Sequence, residues 1–137
     1  MQNLLKDLED EASNLSTKSL GPIGFDYRRR TEIERLLFLI AKEYCERNLK
    51  YALGGLGSIH EKLLIEEMQK RGSTDPGLAV VRQSFELSRL ISDLSSSDPY
   101  IREETLGELG GSVHRMLDTM SGRIVRFINE MRDLCNE

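Results

Sequence analysis

Cysteine and histidine occur only twice each in the 137 residues, and proline three times. Cys45 and Cys135 stand far apart, outside any Cys-x-x-Cys spacing, so neither a disulfide framework nor a zinc ligand set is written into the chain. Both are expected as reduced thiols of an intracellular, cytoplasmic protein. Long hydrophobic runs are also missing. The longest, Leu36 to Ala41, has six residues, against the ~20 that a membrane-spanning helix needs. No basic stretch followed by an apolar one opens the chain at Met1–Asp7, so nothing there reads as a secretion signal. An excess of positive charge is absent as well. The 19 Lys and Arg against 23 Asp and Glu leave a net charge of −4, which argues against a protein that coats nucleic acid without specificity.

What is present is ordinary for one folded domain: 39% hydrophobic and 31% charged residues, incompatible with wholesale disorder. The charge is distributed unevenly. Residues 26–50 carry seven basic side chains (Arg28, Arg29, Arg30, Arg35, Lys42, Arg47, Lys50) against five acidic ones, while 1–25 and 99–137 are net acidic.

The apolar residues recur with the 3.6-residue period almost throughout, and no stretch of strict alternation calls for a strand. The spacing predicts an all-α, single-domain bundle of five or six helices, at about 3–16, 26–53, 59–71, 76–95, 99–109 and 112–135. Leu4, Leu5, Leu8, Ala12 and Leu15 share one face of the first. In the second, Ile33, Leu36, Leu37, Ile40, Tyr44 and Tyr51 form one apolar arc, and Phe38, Cys45 and Leu49 form another beside it. Most of its charge (Glu32, Arg35, Lys42, Glu43, Glu46, Lys50) is squeezed into a strip about 100° wide, so 26–53 is expected as a largely buried central helix. Ser58 and Glu61 have the spacing of a capping box after Gly54-Gly55-Leu56-Gly57. Asp75-Pro76 and Asp98-Pro99 each combine an N-cap acceptor with a proline at the first helical position. The strongest periodicity runs through Leu106, Leu109, Val113, Met116, Met120, Ile124, Phe127, Met131 and Leu134. It marks a helix-packing seam, and a break is expected within it at Gly110-Gly111, with Ser112 capping a fresh start.

Catalytic patterns are missing where helical proteins usually carry them. A di-iron site needs Glu-x-x-His pairs, but Gly57 and Gly111 precede His60 and His114 by three residues. His60-Glu61 is not followed by a second histidine at zincin spacing. An Arg-x(4–6)-His nuclease pair would need arginine at 107–109, which are Gly, Glu and Leu. Gly-x-Ser-x-Gly does not occur, and Gly54–Ser58 follows a helix and lacks the lysine of a phosphate-binding loop. No cofactor, metal or small-molecule substrate is indicated, and a non-catalytic chain is expected.

Residues 61–94 loosely resemble the small two-helix aspartyl-phosphate phosphatases of spore-forming bacteria, through Ile65-Glu66-Glu67, Asp75-Pro76 and Ser84-Phe85-Glu86-Leu87. That family's motif is Ser-Gln-Glu-Leu-Asp, and its functional Asp falls here on Ser88, so the resemblance does not imply the activity. Residues 32–53 resemble the Glu-Ile-Glu-Arg…Arg-x-x-Lys helix of the GINS replication factors over about a sixth of the chain. The β-rich domain that accompanies that helix has no counterpart.

The remaining candidates are surfaces. Arg28, Arg29 and Arg30 crowd the start of a helix, where the dipole disfavours cations. They are expected either to pair with Asp7, Glu9, Asp10 and Glu11 of the first helix or to contact phosphate or an acidic partner. Arg115, Arg123 and Arg126 lie within an arc of about 80° beside the seam. Two functions follow as expectations: a helical subunit or adaptor that binds protein partners or itself, through the seam Leu109, Val113, Met116, Met120, Ile124, Phe127 and Met131; or a small subunit of a nucleic-acid-handling complex, with those six arginines on phosphates. An enzyme with an unrecognised site is the third.

Overall fold

The computed structural model describes residues 1–16, 27–48, 66, 69–70, 72 and 75–135. Within them the chain is all-α, with no strand: α1 (Gln2–Ser13), α2 (Tyr27–Asn48), α3 (Gly77–Leu94), α4 (Pro99–Glu108) and α5 (Val113–Cys135). Of the helix expected at 59–71, Glu66, Gln69 and Lys70 are described and are helical. Asp26, the 49–53 end of the second helix, the Gly54–Ser58 turn with its capping box, and His60 lie outside the described residues. No described helix is long and apolar enough to cross a membrane.

Local chemistry sets the helix ends. Asp98 is extended at φ −81°, ψ 113°, and its carboxylate accepts the Tyr100 amide at 2.9 Å, with Pro99 at the first helical position. That proline gives up only an amide that the first turn leaves unpaired. Asp75 acts in the same way: its Oδ1 accepts the Gly77 amide at 2.7 Å, and Pro76 already holds helical angles. The break between α4 and α5 is a Schellman turn. The Gly111 amide donates to the Leu106 carbonyl at 2.9 Å and the Gly110 amide to that of Gly107 at 3.3 Å, the paired bonds that satisfy the last carbonyls of a helix. Gly110 sits at φ 115° and Gly111 at φ 83°, backbone that residues with a Cβ rarely adopt. Ser112 Oγ then accepts the Arg115 amide at 3.2 Å and starts α5.

Four of the helices close a ring. α1 packs on α2, α2 on α3, α3 on α5, and α5 back on α1, while α4 lies mainly against α3. Neighbours in the ring are antiparallel, so that the start of α1, the end of α2, the start of α3 and the end of α5 meet at one end of the bundle, and polar contacts tie the neighbours together. Arg29 near the start of α2 reaches Glu11 near the end of α1, whereas Glu43 near the end of α2 meets the amino group of Met1. Arg132 near the end of α5 bonds Glu9 at 2.8 Å, and Gln83 of α3 bonds Glu130 of α5 at 2.7 Å.

The core fills the ring: Leu5, Leu8 and Ala12 from α1; Ile33, Leu36, Leu37, Ile40, Ala41, Tyr44 and Cys45 from α2; Val81, Phe85, Leu90 and Ile91 among others from α3; Met116, Met120, Ile124, Phe127, Ile128 and Met131 from α5. α2 is buried along a wide face, with Phe38 and Leu39 half-buried beside it. Among the described helices, α3 packs mainly on α2, α4 and α5, and α2 mainly on α1 and α3. α4 differs from the rest in burying only Thr105, with Leu109 buried just beyond its end.

Phe127 is fully buried, while Val125, two residues earlier on the same helix, is 40% exposed. Phe127→Ala is expected to cost about 3–5 kcal/mol through lost burial and an unfilled cavity, and Val125→Ala less than about 0.5 kcal/mol. Denaturant titrations of the two variants check this. Gly110→Ala, which meets both a left-handed φ and the Arg115 Cβ at 2.8 Å, is expected to cost on the order of 1–2 kcal/mol.

Candidate functional site

The antiparallel ring brings the start of α1, the end of α2, the start of α3 and the end of α5 to one end of the bundle. A cleft of about 600 Å³ opens there, lined by Met1, Gln2, Tyr44, Arg47, Asn48, Asp75, Pro76, Leu134 and Cys135. Its floor is organised by Tyr44, whose hydroxyl donates to Asp75 Oδ1 at 2.9 Å, the same oxygen that accepts the Gly77 amide. A Cβ at position 77 would fall on the Tyr44 ring and hydroxyl. Glycine is therefore required for close approach, not for backbone conformation.

Burial, and then the Asp75 carboxylate, hold the Tyr44 hydroxyl well above the ordinary phenol value. Arg47 bonds Glu43 at 2.9 Å, and the same carboxylate oxygen takes the Met1 amino group at 3.2 Å. At the rim, loss of water around Cys135 raises its thiol above the usual range, ahead of smaller opposing charge effects. A raised thiol is mostly protonated at neutral pH and is not an activated nucleophile. The Tyr44–Asp75–Gly77 contacts lock the start of α3 to the end of α2.

The arginines marked in the sequence separate into two places. Arg29 donates to Glu11 at 2.7 Å, an intramolecular pairing with the acidic first helix, and Arg30 stands 3.8 Å from Glu34. Arg28 beside them is exposed. Arg115, Arg123 and Arg126 are exposed along α5; Arg126 bonds Glu130 at 3.1 Å, and Glu130 in turn faces Gln83 of α3. One cluster therefore belongs to the α1–α2 groove and the other to the α3–α5 groove, opposite sides of the ring. They do not form one phosphate track. His114 is 89% exposed, 3.6 Å from Asp118. Among the described residues, no group of three or more His, Cys, Asp or Glu side chains is placed to hold a metal ion.

The seam is occupied by the chain itself. Leu109, Met116, Met120, Ile124, Phe127 and Met131 are all fully buried, and only Val113, at the first turn of α5, remains 38% exposed. Among the described residues, the most exposed large apolar side chain is Tyr100 of α4, at 74%, with Ile101 beside it at 36%; Val113 and Val125 of α5 are exposed singly. Glu103, Glu104 and Gly107 are exposed next to Tyr100 and Ile101.

The Tyr44–Asp75–Gly77 unit and the α4 surface escaped the periodicity. The sequence-level trace of the first is Gly77 itself, a glycine inside a helix start that needs no special φ. For α4 the trace is Tyr100-Ile101 directly after a helix cap, on a helix too short to bury both.

Tyr44→Phe is expected to cost about 1–2 kcal/mol at pH 7, the worth of a hydrogen bond to a carboxylate. Because the folded tyrosine ionises above the unfolded one, the stability it contributes is present below about pH 10 and falls as pH rises beyond it. The gap between wild type and Tyr44→Phe, measured by urea unfolding, should narrow there. Gly77→Ala is expected to destabilise by about 1–3 kcal/mol through overpacking. Gly122→Ala, with open space around position 122, is expected to stabilise α5 by about 0.5–1 kcal/mol. No protein-family model, curated protein or solved structure matches this chain.

Proposed function

We propose that the chain is a non-catalytic helical subunit or adaptor that acts by binding a protein partner, and that it does so through α4. The observation that carries this reading is the placement of Tyr100, 74% exposed at the start of a helix whose main packing is against α3. Tyrosine is favoured as an interface anchor because it brings a large apolar body with a polar tip at little entropic cost. Ile101 continues the surface, and the acidic side chains of Glu103 and Glu104 border it.

Burial of the seam supports α4 over α5 as the docking element, since a partner reaching the seam would have to displace α1 and α3. The nucleic-acid reading has less support. Arg29 is held by Glu11, and the two arginine clusters face different grooves. Both cysteines are free, which suits an intracellular location.

The test compares wild type with Tyr100→Asp/Ile101→Asp, matched for helicity by circular dichroism. A partner, or a second copy, retained by wild type and lost by the double variant is the expected outcome. Identical partners and identical oligomeric state for the two proteins would overturn the reading.

A further inference from the structure

Two exposed surfaces of opposite charge carry side chains that have no ion-pair partner among the described residues. On α4, Tyr100, Glu103, Glu104 and Gly107 stand at i, i+3, i+4 and i+7 and so form one stripe. Glu103 and Glu104 make no ion pair among the described residues. Glu104 and Glu108 also repel each other at i, i+4. A helix of ten residues is shorter than the ~12–15 at which isolated helices become even marginal, so α4 depends on what packs against it. On α5, Arg115 and Arg123 likewise make no ion pair among the described residues.

The two surfaces flank the solvent face of α3. Arg89 of α3 reaches Glu108 of α4 at 3.4 Å, and Gln83 reaches Glu130 of α5 at 2.7 Å. Six residues apart, Gln83 and Arg89 point about 120° away from each other around the helix. α4 and the arginine strip therefore border α3 on its two sides. Between them Arg89 is balanced by Glu86, Asp93 and Glu108.

We propose that the occupant of the α4 face is a second copy of this chain, its α5 arginine strip lying on the acidic α4 stripe. This rests on the reading that the chain binds protein through α4, and it names the partner. A two-fold axis running along α3 places each α4 opposite the other copy's α5, so that both contacts form together and the assembly closes as a dimer. The contact is built from one face of a ten-residue helix and one strip of α5. Its charges are solvent-exposed, so association is weak and weakens further as salt rises.

The experiment uses reciprocal charge reversal, read by sedimentation over a range of concentrations at about 0.05 and 0.5 M salt, between which screening becomes severe. Wild type is expected to dimerise at low salt and dissociate at high salt. Glu103→Lys/Glu104→Lys and Arg115→Glu/Arg123→Glu are each expected to be monomeric alone, because like charges then face each other. Mixed in equal amounts, they are expected to form a dimer of one chain of each kind, since both contacts become complementary again. Helicity is checked first, and a pair that fails to fold is replaced by Glu103→Gln/Glu104→Gln, expected to weaken the dimer at least several-fold. A wild-type chain that stays monomeric throughout overturns the proposal, as do variants that dimerise alone as well as wild type or a mixture that stays monomeric. Loss of a different, Tyr100-dependent partner in the α4 variant would preserve the protein-binding reading while overturning the second copy.

Discussion

Burial of the α5 seam between α1 and α3 is the constraint on which the rest of the structure depends. α5 presents six buried apolar side chains along 23 residues, each contributing about 1.5–3 kcal/mol when removed from water. It can cover them only if the two ends of the described chain meet. α1 by itself is 12 residues long, marginal as an isolated helix, and is ordered by lying between α2 and α5. Closure is therefore cooperative: α1 needs α5, and α5 needs both α1 and α3.

The polar contacts follow from that packing and do not drive it. Arg29–Glu11, Arg132–Glu9 and Gln83–Glu130 each join neighbours in the ring at distances of 2.7 or 2.8 Å. They sit at half-buried or exposed positions, where such pairs contribute little to stability; their effect is to favour one register over its alternatives. The exception in kind is Tyr44, 4% exposed, whose hydroxyl would lack a partner if Asp75 were not delivered to it by the start of α3. Pro76, Gly77 and the Asp75 carboxylate thus serve the local helix start and the contact between helices at once.

Among the described helices α4 stands outside the ring, held against α3 on one face and exposing an aromatic ring and acidic side chains on the other. It is joined to α5 by a turn that two positive-φ glycines and Ser112 define closely, so its outward face is presented in a fixed orientation.

The all-α class, the Asp-Pro helix starts and the glycine break before Ser112 were readable in the sequence because each depends on neighbours within a few residues: helical period, an amide and its acceptor, a φ that only glycine adopts freely. The apolar face of α5 was equally readable, but not its destination. Whether a stripe from Met116 to Met131 meets its own chain or another depends on the placement of Leu5 and Leu8 more than a hundred positions earlier. For the same reason the sequence did not show which grooves Arg28–Arg30 and the α5 arginines would border, and Tyr44 looked like one more core residue. Local geometry was determined by the sequence alone. The tertiary structure decided which faces were left over, because burial is shared among segments distant in the chain and only the closed ring shows which side chains it has already covered.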